Sequence, residues 1–173
     1  MKRLLSTFFL CAYLASIGHI WAVTLPGSCG DDKIQFDVKT EKGQPGLAAP
    51  ATGKAQIVFI ENENQMIGPF MHATVRYGVD GAWVGANNGS SIFALTVDPG
   101  VHHLCANWQS DLKRFGKNAE ATSFTADPDK VYCFAASVTV ESKDVVNFGF
   151  SQMNEDEGQY QVKGSKKSTS KPK

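Results

Sequence analysis

The chain has 173 residues, 42% of them hydrophobic and 20% charged, and its seventeen basic side chains are matched by seventeen acidic ones. The match is uneven, because Lys163, Lys166, Lys167, Lys171 and Lys173 crowd the end. Once Lys2 and Arg3 leave with a leader, ten basic side chains face seventeen acidic ones upstream of residue 163. An acidic body argues against nucleic acid as its partner, and the length beyond the leader, about 150 residues, suits one domain.

Met1-Lys2-Arg3 followed by the apolar run Leu4 to Ile17 has the layout of a secretory signal and is too short to span a bilayer. Ala22 suits the position before cleavage, so residues 1–22 are read as signal peptide and Val23 as the new start. Cys11 lies inside the apolar core and Cys29 far past it, so neither sits in a good lipobox, and a lipid-anchored form is disfavoured. No later run approaches membrane-spanning length, which predicts an exported protein, periplasmic or secreted, with no transmembrane segment in the mature chain.

Residues 23–53 form an approach segment in which Ile34 to Val38 alternates and adds at most one strand, amid breakers such as Gly43, Pro45, Gly46 and Pro50. Ala55, Ile57 and Phe59 alternate with Gln56, Val58 and Ile60, a run apolar on both faces and so a central strand. After polar Glu61 to Gln65 comes an apolar loop whose Met66, Ile67, Phe70 and Met71 offer an adaptable contact surface for a partner, or a plug over the sandwich end. Ala73, Val75, Tyr77 and Val79 alternate with Thr74, Arg76 and Gly78, a strand with one wet face. Asp80-Gly81, Asn88-Gly89 and Asp98-Pro99-Gly100 then punctuate short apolar runs as far as Trp108, which reads as a β-meander. Glu120 to Ala126 and Val131 to Val140, joined by Asp127-Pro128-Asp129-Lys130, are expected to form a hairpin, with Val145 to Phe150 as the last strand. Glu155-Asp156-Glu157 suits the first turn of a short helix. Residues 163–173 have almost nothing apolar to bury and are expected to be a disordered Lys-rich tail. The spacing predicts an all-β fold over residues 54–162, an antiparallel sandwich of about seven strands with a broadly immunoglobulin-like architecture.

Cys29, Cys105 and Cys133 remain after processing, and export makes them disulfide candidates. If Leu104, Ala106 and Trp108 face inward, Cys105 faces out with His103 and Asn107. Cys133 likewise opposes the apolar set of its own strand, so Cys105 pairs with either Cys133 or Cys29, and spacing does not choose between them. His102 and His103 are adjacent and point to opposite faces, and consecutive Glu155 to Glu157 lack the spacing of a calcium loop, so no metal site is expected. The chain has no Gly-x-Ser-x-Gly, His-Glu-x-x-His or phosphate-binding loop, and neither a catalytic residue nor a cofactor is assigned. Asn88-Gly89-Ser90 matches a glycosylation sequon but is better explained as a hairpin turn.

Lys54-Ala55-Gln56-Ile57-Val58-Phe59, Asp80-Gly81-Ala82-Trp83-Val84-Gly85, Pro99-Gly100-Val101-His102-His103-Leu104 and Lys130-Val131-Tyr132-Cys133-Phe134 together resemble a bacterial family of exported β-sandwich domains of unknown function. Asp129 stands where that family has Gly, and Cys133 where an aromatic is common. The resemblance implies export and a small sandwich, and brings no established activity. The expected role is a non-catalytic binding or scaffolding module of the bacterial cell envelope, its partner an unknown envelope protein or glycan. Two alternatives from other classes are a small-ligand or carbohydrate-binding domain stacking on Trp83 or Trp108, and a thiol-dependent enzyme built on Cys105 and His103.

Overall fold

A computed structural model describes residues 29–41, 47–63, 73–109, 119–142 and 145–173; the expected signal segment and the contact loop with Met66, Ile67, Phe70 and Met71 lie outside them. The described residues form ten strands: β1 Phe36–Glu41, β2 Ala55–Glu63, β3 Thr74–Val79, β4 Ala82–Asn88, β5 Ser91–Val97, β6 Gly100–Gln109, β7 Ala119–Ala126, β8 Val131–Ser142, β9 Val145–Gln152 and β10 Lys166–Pro172. One helix, α1 Glu155–Gly164, precedes β10. The strands make two sheets packed face to face, one in the order β1-β10-β5-β2-β8-β9 and the other β4-β3-β6-β7. The all-β sandwich stands, with more strands than expected. Its pairings are antiparallel except β2 with β8 and β10 with β5.

β2 is apolar on both faces because both faces of its sheet are covered. Ile57 and Phe59 point into the sandwich, where Phe59 stacks on Tyr77 at 4.3 Å between centroids and Phe93, Phe134 and Phe150 complete an aromatic cluster. Val58 and Ile60 point the other way, into a smaller cluster with Ile92, Cys133 and Val162 of α1. Two sheet faces and a helix thus converge on one strand, which explains why its side chains from Ala55 to Ile60 are almost wholly buried.

Of the turns in the expected meander, only Asp80-Gly81 closes a hairpin between neighbours. Both residues have positive φ, 51° and 84°, as a type I′ turn requires. The turns around Gly89 and Pro99 instead carry the chain from β4 across to β5 and back to β6, which pairs with β3. Asp127 to Lys130 likewise crosses between sheets, so β7 and β8 are not a hairpin. Turn residues specify that the chain reverses. Whether the next strand lies beside the last or opposite it depends on which apolar face it must cover, and both placements bury the same alternating pattern.

The C-terminal residues are ordered, contrary to the expectation of a disordered tail. α1 ends at Ser165, whose N–H donates to Val162 O, and β10 then pairs with β5 on one side and with the whole of β1 on the other. Composition misleads here because β10 is held by its ladder rather than by apolar side chains. Ser168 turns inward to meet Ser91 Oγ at 2.7 Å, while Lys166, Lys167 and Lys171 stay exposed. Lys167 lies opposite Glu41 and Lys171 opposite Asp37, so charge complements the register. The approach segment is part of the fold as well, since β1 belongs to the larger sheet. Ala86 N–H on the edge of the smaller sheet donates to Ser170 Oγ at 3.0 Å, tying β10 to β4 along that flank.

Candidate functional site

Residues 29–35 form a strap across the outer face of the four-stranded sheet. A disulfide joins Cys29 to Cys105 across 76 residues of sequence and pins one end. Cys133 is a free, buried thiol in the other sheet, too far round the sandwich to compete, so of the two open pairings the structure has Cys29 with Cys105. Cys105 does lie on the outer face with His103 and Asn107, as strand parity predicted.

The strap is held chiefly through its main chain. Trp83 Nε1 donates to Asp31 O at 3.0 Å, and Arg76 Nη1 donates to Asp32 O at 3.1 Å and to Ile34 O. Arg76 is 5% exposed, its Nε donating to Asn107 Oδ1 at 2.9 Å and its guanidinium lying 4.1 Å from the Trp83 ring centroid. Burial lowers its pKa and the Asp32 carboxylate opposes that fall. Gly78 is required beneath the strap, because a Cβ there would meet Cys29 O at 2.7 Å. Trp83 is half-buried with Arg76 over its ring and Trp108 is core, so neither is the fully exposed stacking platform expected of a carbohydrate site. Cys105, closed in the disulfide, has no thiol to pair with His103.

His102 and Asp80 fasten the end of the sandwich where the β3–β4 and β5–β6 turns meet. His102 Nδ1 lies 2.7 Å from Asp80 Oδ2 and Nε2 lies 2.7 Å from Asp98 O, while Asp80 Oδ1 accepts from His103 N–H at 2.9 Å. Partial burial works against charge on His102, but the Asp98 carbonyl and the Asp80 carboxylate outweigh it and raise the pKa above 6.5. Partial burial also works against charge on Asp80, and the His103 N–H with the His102 pair outweighs it, holding the pKa below 3.8. Stability from charged His102 is full below pH 6.5 and is lost as pH rises through the raised value. Stability from Asp80 is full above pH 3.8 and is lost as pH falls through the lowered one. Thermal melts across pH 4 to 9 are thus expected to show wild type losing more melting temperature on the alkaline side than His102→Gln; parallel curves would discard this clasp.

A concave site is a notch in the larger sheet where β9 stops three residues short of the start of β8. Gln152 pairs with Phe134, Met153 N–H donates to Cys133 O at 2.9 Å, and the chain then departs into α1. Val131 and Tyr132 consequently line an opening of about 640 Å³ with Leu47, Asp127, Asp129, Lys130, Gln152, Met153, Asn154, Glu155 and Gln159. The local sequence builds this shape directly. Asn154 Oδ1 accepts from Glu157 N–H at 2.9 Å and starts α1, and Gly158 lets the helix seat on Cys133, since a Cβ there would meet Sγ at 2.6 Å.

No protein-family model, curated protein or solved structure matches this chain. Tyr132 Oη accepts from Asp127 N–H at 2.9 Å and donates to Asp127 Oδ2 at 3.2 Å, and Asp129 Oδ1 accepts from Gly53 N–H at 2.7 Å, so these groups form a rigid wall. Gln159 Nε2 reaches Glu155 Oε1 at 3.3 Å on the helical side. With Asp127, Asp129 and Glu155 against Lys130, the notch is net acidic and suits a neutral or cationic, hydrogen-bonding ligand. Burial, helped by Glu155, pushes the Cys133 thiol up, the direction opposite to that of a thiolate nucleophile.

Of the disulfide and partner-contact candidates only Cys133 borders this notch, together with Asp127, Asp129 and Lys130 of the expected turn and Glu155 of the acidic run. Gln152 and Gln159 carry no local signal of a site, and Asn154 ahead of three carboxylates signals only a helix start. Local alternation places Arg76 on a wet face, yet the strap buries it. A lone cation between Val75 and Tyr77 was the available signal that something covers that face. The described residues include no helix long and apolar enough to cross a membrane and no cluster arranged to hold a metal.

Proposed function

We propose that the protein is a non-catalytic binding module of the bacterial cell envelope, exported as a cross-linked sandwich, whose ligand contact is the notch between β8, β9 and α1. The supporting observation is the net-acidic opening lined by amide side chains on rigid elements, a setting for hydrogen bonds to a neutral or cationic group rather than for bond-making. A saccharide end or a small amine-bearing envelope component fits that chemistry. The carbohydrate reading survives here by hydrogen bonding at Gln152, Asn154 and Gln159, with stacking on tryptophan set aside. The resemblance to exported β-sandwich domains is consistent with this role and adds no ligand.

Nuclear magnetic resonance titration with a panel of neutral glycans, amino sugars and small amines tests the proposal. Amide shifts confined to Val131, Tyr132 and residues 152–159 are expected, with affinity about tenfold weaker in Gln152→Ala, the loss of one well-made hydrogen bond. Perturbations elsewhere, or none across the panel, would remove the notch as the contact.

A further inference from the structure

We propose that the notch takes an extended, positively charged peptide, laid beside the start of β8 as a short added strand; this rests on the notch being the ligand contact and names the ligand's class. The main chain of β8 carries the inference. Gln56 N–H donates to Lys130 O at 2.9 Å, and Gln56 pairs in parallel with Val131. In a parallel ladder that bond fixes the alternation: β2 engages the main chain of Lys130 and Tyr132, so both the N–H and the C=O of Val131 point away from it. They point to the side of β9, whose ladder with β8 stops at Gln152 opposite Phe134. Met153 N–H still reaches Cys133 O at 2.9 Å, but the residue that would come opposite Val131 is Glu155, which belongs to α1. Among the described residues no strand lies beside Val131 on this side.

A donor and an acceptor on one residue of an open sheet edge complement another main chain. A peptide residue set opposite Val131, in the antiparallel sense of β9, meets both. The side chains around this edge select the peptide further. Val131 is 40% exposed, a large apolar side chain left in water, and it shares the outer face of its sheet with Cys133, where Leu47 and Met153 pack. A peptide side chain opposite Val131 falls on that same face, so an apolar residue there covers it. Flanking positions meet Asp127, Asp129 and Glu155, opposed by Lys130, and positive charge complements them. The opening of about 640 Å³ has room for about three residues, or about 10 Å of strand.

Titration of wild-type protein, followed through its amide signals by nuclear magnetic resonance, tests this with four probes. They are lysyl-valyl-lysinamide, the same peptide methylated on its valine nitrogen, glutamyl-valyl-glutamamide, and glucosamine. The lysyl peptide is expected to shift Val131 and residues 152–159 and to slow hydrogen exchange of the Val131 N–H. Methylation removes the donor that meets Val131 C=O and should weaken binding about tenfold, the loss of one hydrogen bond. The glutamyl peptide should bind more weakly by at least about the same factor. Val131→Pro deletes the N–H at the first position of a strand, where proline is tolerated, and should weaken the lysyl peptide about tenfold. If that variant fails to fold, the methylated peptide on wild type makes the same test. Equal affinity for the methylated and unmethylated peptides, or for the glutamyl and lysyl ones, would overturn the proposal. Shifts in the notch with glucosamine and none with the lysyl peptide would overturn the peptide and leave the notch as the contact. No shift there with any probe would overturn both.

Discussion

Replacing Cys29 with serine is expected to lower the free energy of unfolding by about 4 kcal/mol and the melting temperature by about 10 °C. The bond closes a loop spanning 76 residues of sequence, so it removes much of the freedom of the unfolded chain, and that loss scales only slowly with loop length. The folded state loses less, because Arg76, Trp83 and Gln109 still hold the strap main chain. The effect should therefore act mainly on the unfolded ensemble, and the denaturant dependence should steepen as that ensemble expands. Cys105→Ser should match it, and full reduction of wild type should converge on both. Cys133→Ser should cost only about 1 to 2 kcal/mol, for a hydroxyl placed in the small cluster beneath α1. Equal and small losses at all three positions in denaturant melts would refute the assignment of the bond's stabilising role.

Asn87→Leu is expected to cost about 3 kcal/mol or more, although the two side chains share the same branching of heavy atoms. Asn87 is fully buried, accepts from Tyr77 Oη at 2.8 Å and donates through Nδ2 to Ser91 O at 2.9 Å and to Phe59 O at 3.2 Å. It thereby joins the two sheets at their most apolar point. Leucine would strand those partners in a region that water does not reach, and each stranded group costs about 1 to 3 kcal/mol. The burial that makes the substitution costly already pushes the Tyr77 hydroxyl pKa well up, with Glu61 adding to the rise and Asn87 opposing it. Tyr77→Phe alone should cost about 1 kcal/mol, and in the double variant the two losses should fall short of additive by about the same amount. Strict additivity in a double-mutant cycle would show that the amide and the phenol do not act as a pair.

The contrast between Asn87 and its neighbours shows what local sequence leaves open. Asn87-Asn88-Gly89-Ser90 reads as a hairpin turn, and Gly89 and Ser90 do have positive φ. Yet Asn87 is a core residue one position from the end of β4, because the chain crosses to the opposite sheet instead of folding back on its own. Arg76 is the same kind of case, a charge that local alternation assigned to solvent and a distant strap buried. Both errors have one cause, which is that polarity predicts exposure only until a remote segment supplies the hydrogen bonds that make burial tolerable. The notch was illegible for a related reason. It arises from the point at which β9 stops relative to β8, a register that neither strand encodes alone.

Alternating apolar residues and turn chemistry determined by themselves that this protein is an all-β sandwich, that β2 is central and that a short helix starts at the acidic run. Those features depend on residues close in sequence, whose spacing sets which side chains share a face. Tertiary structure alone decided which cysteines join, which turns cross between sheets, that the Lys-rich end becomes a strand, and where the strap and the notch lie. Each of these needs two segments far apart in the chain to meet, and the free energy that brings them together resides in shared burial and shared hydrogen bonds rather than in either segment.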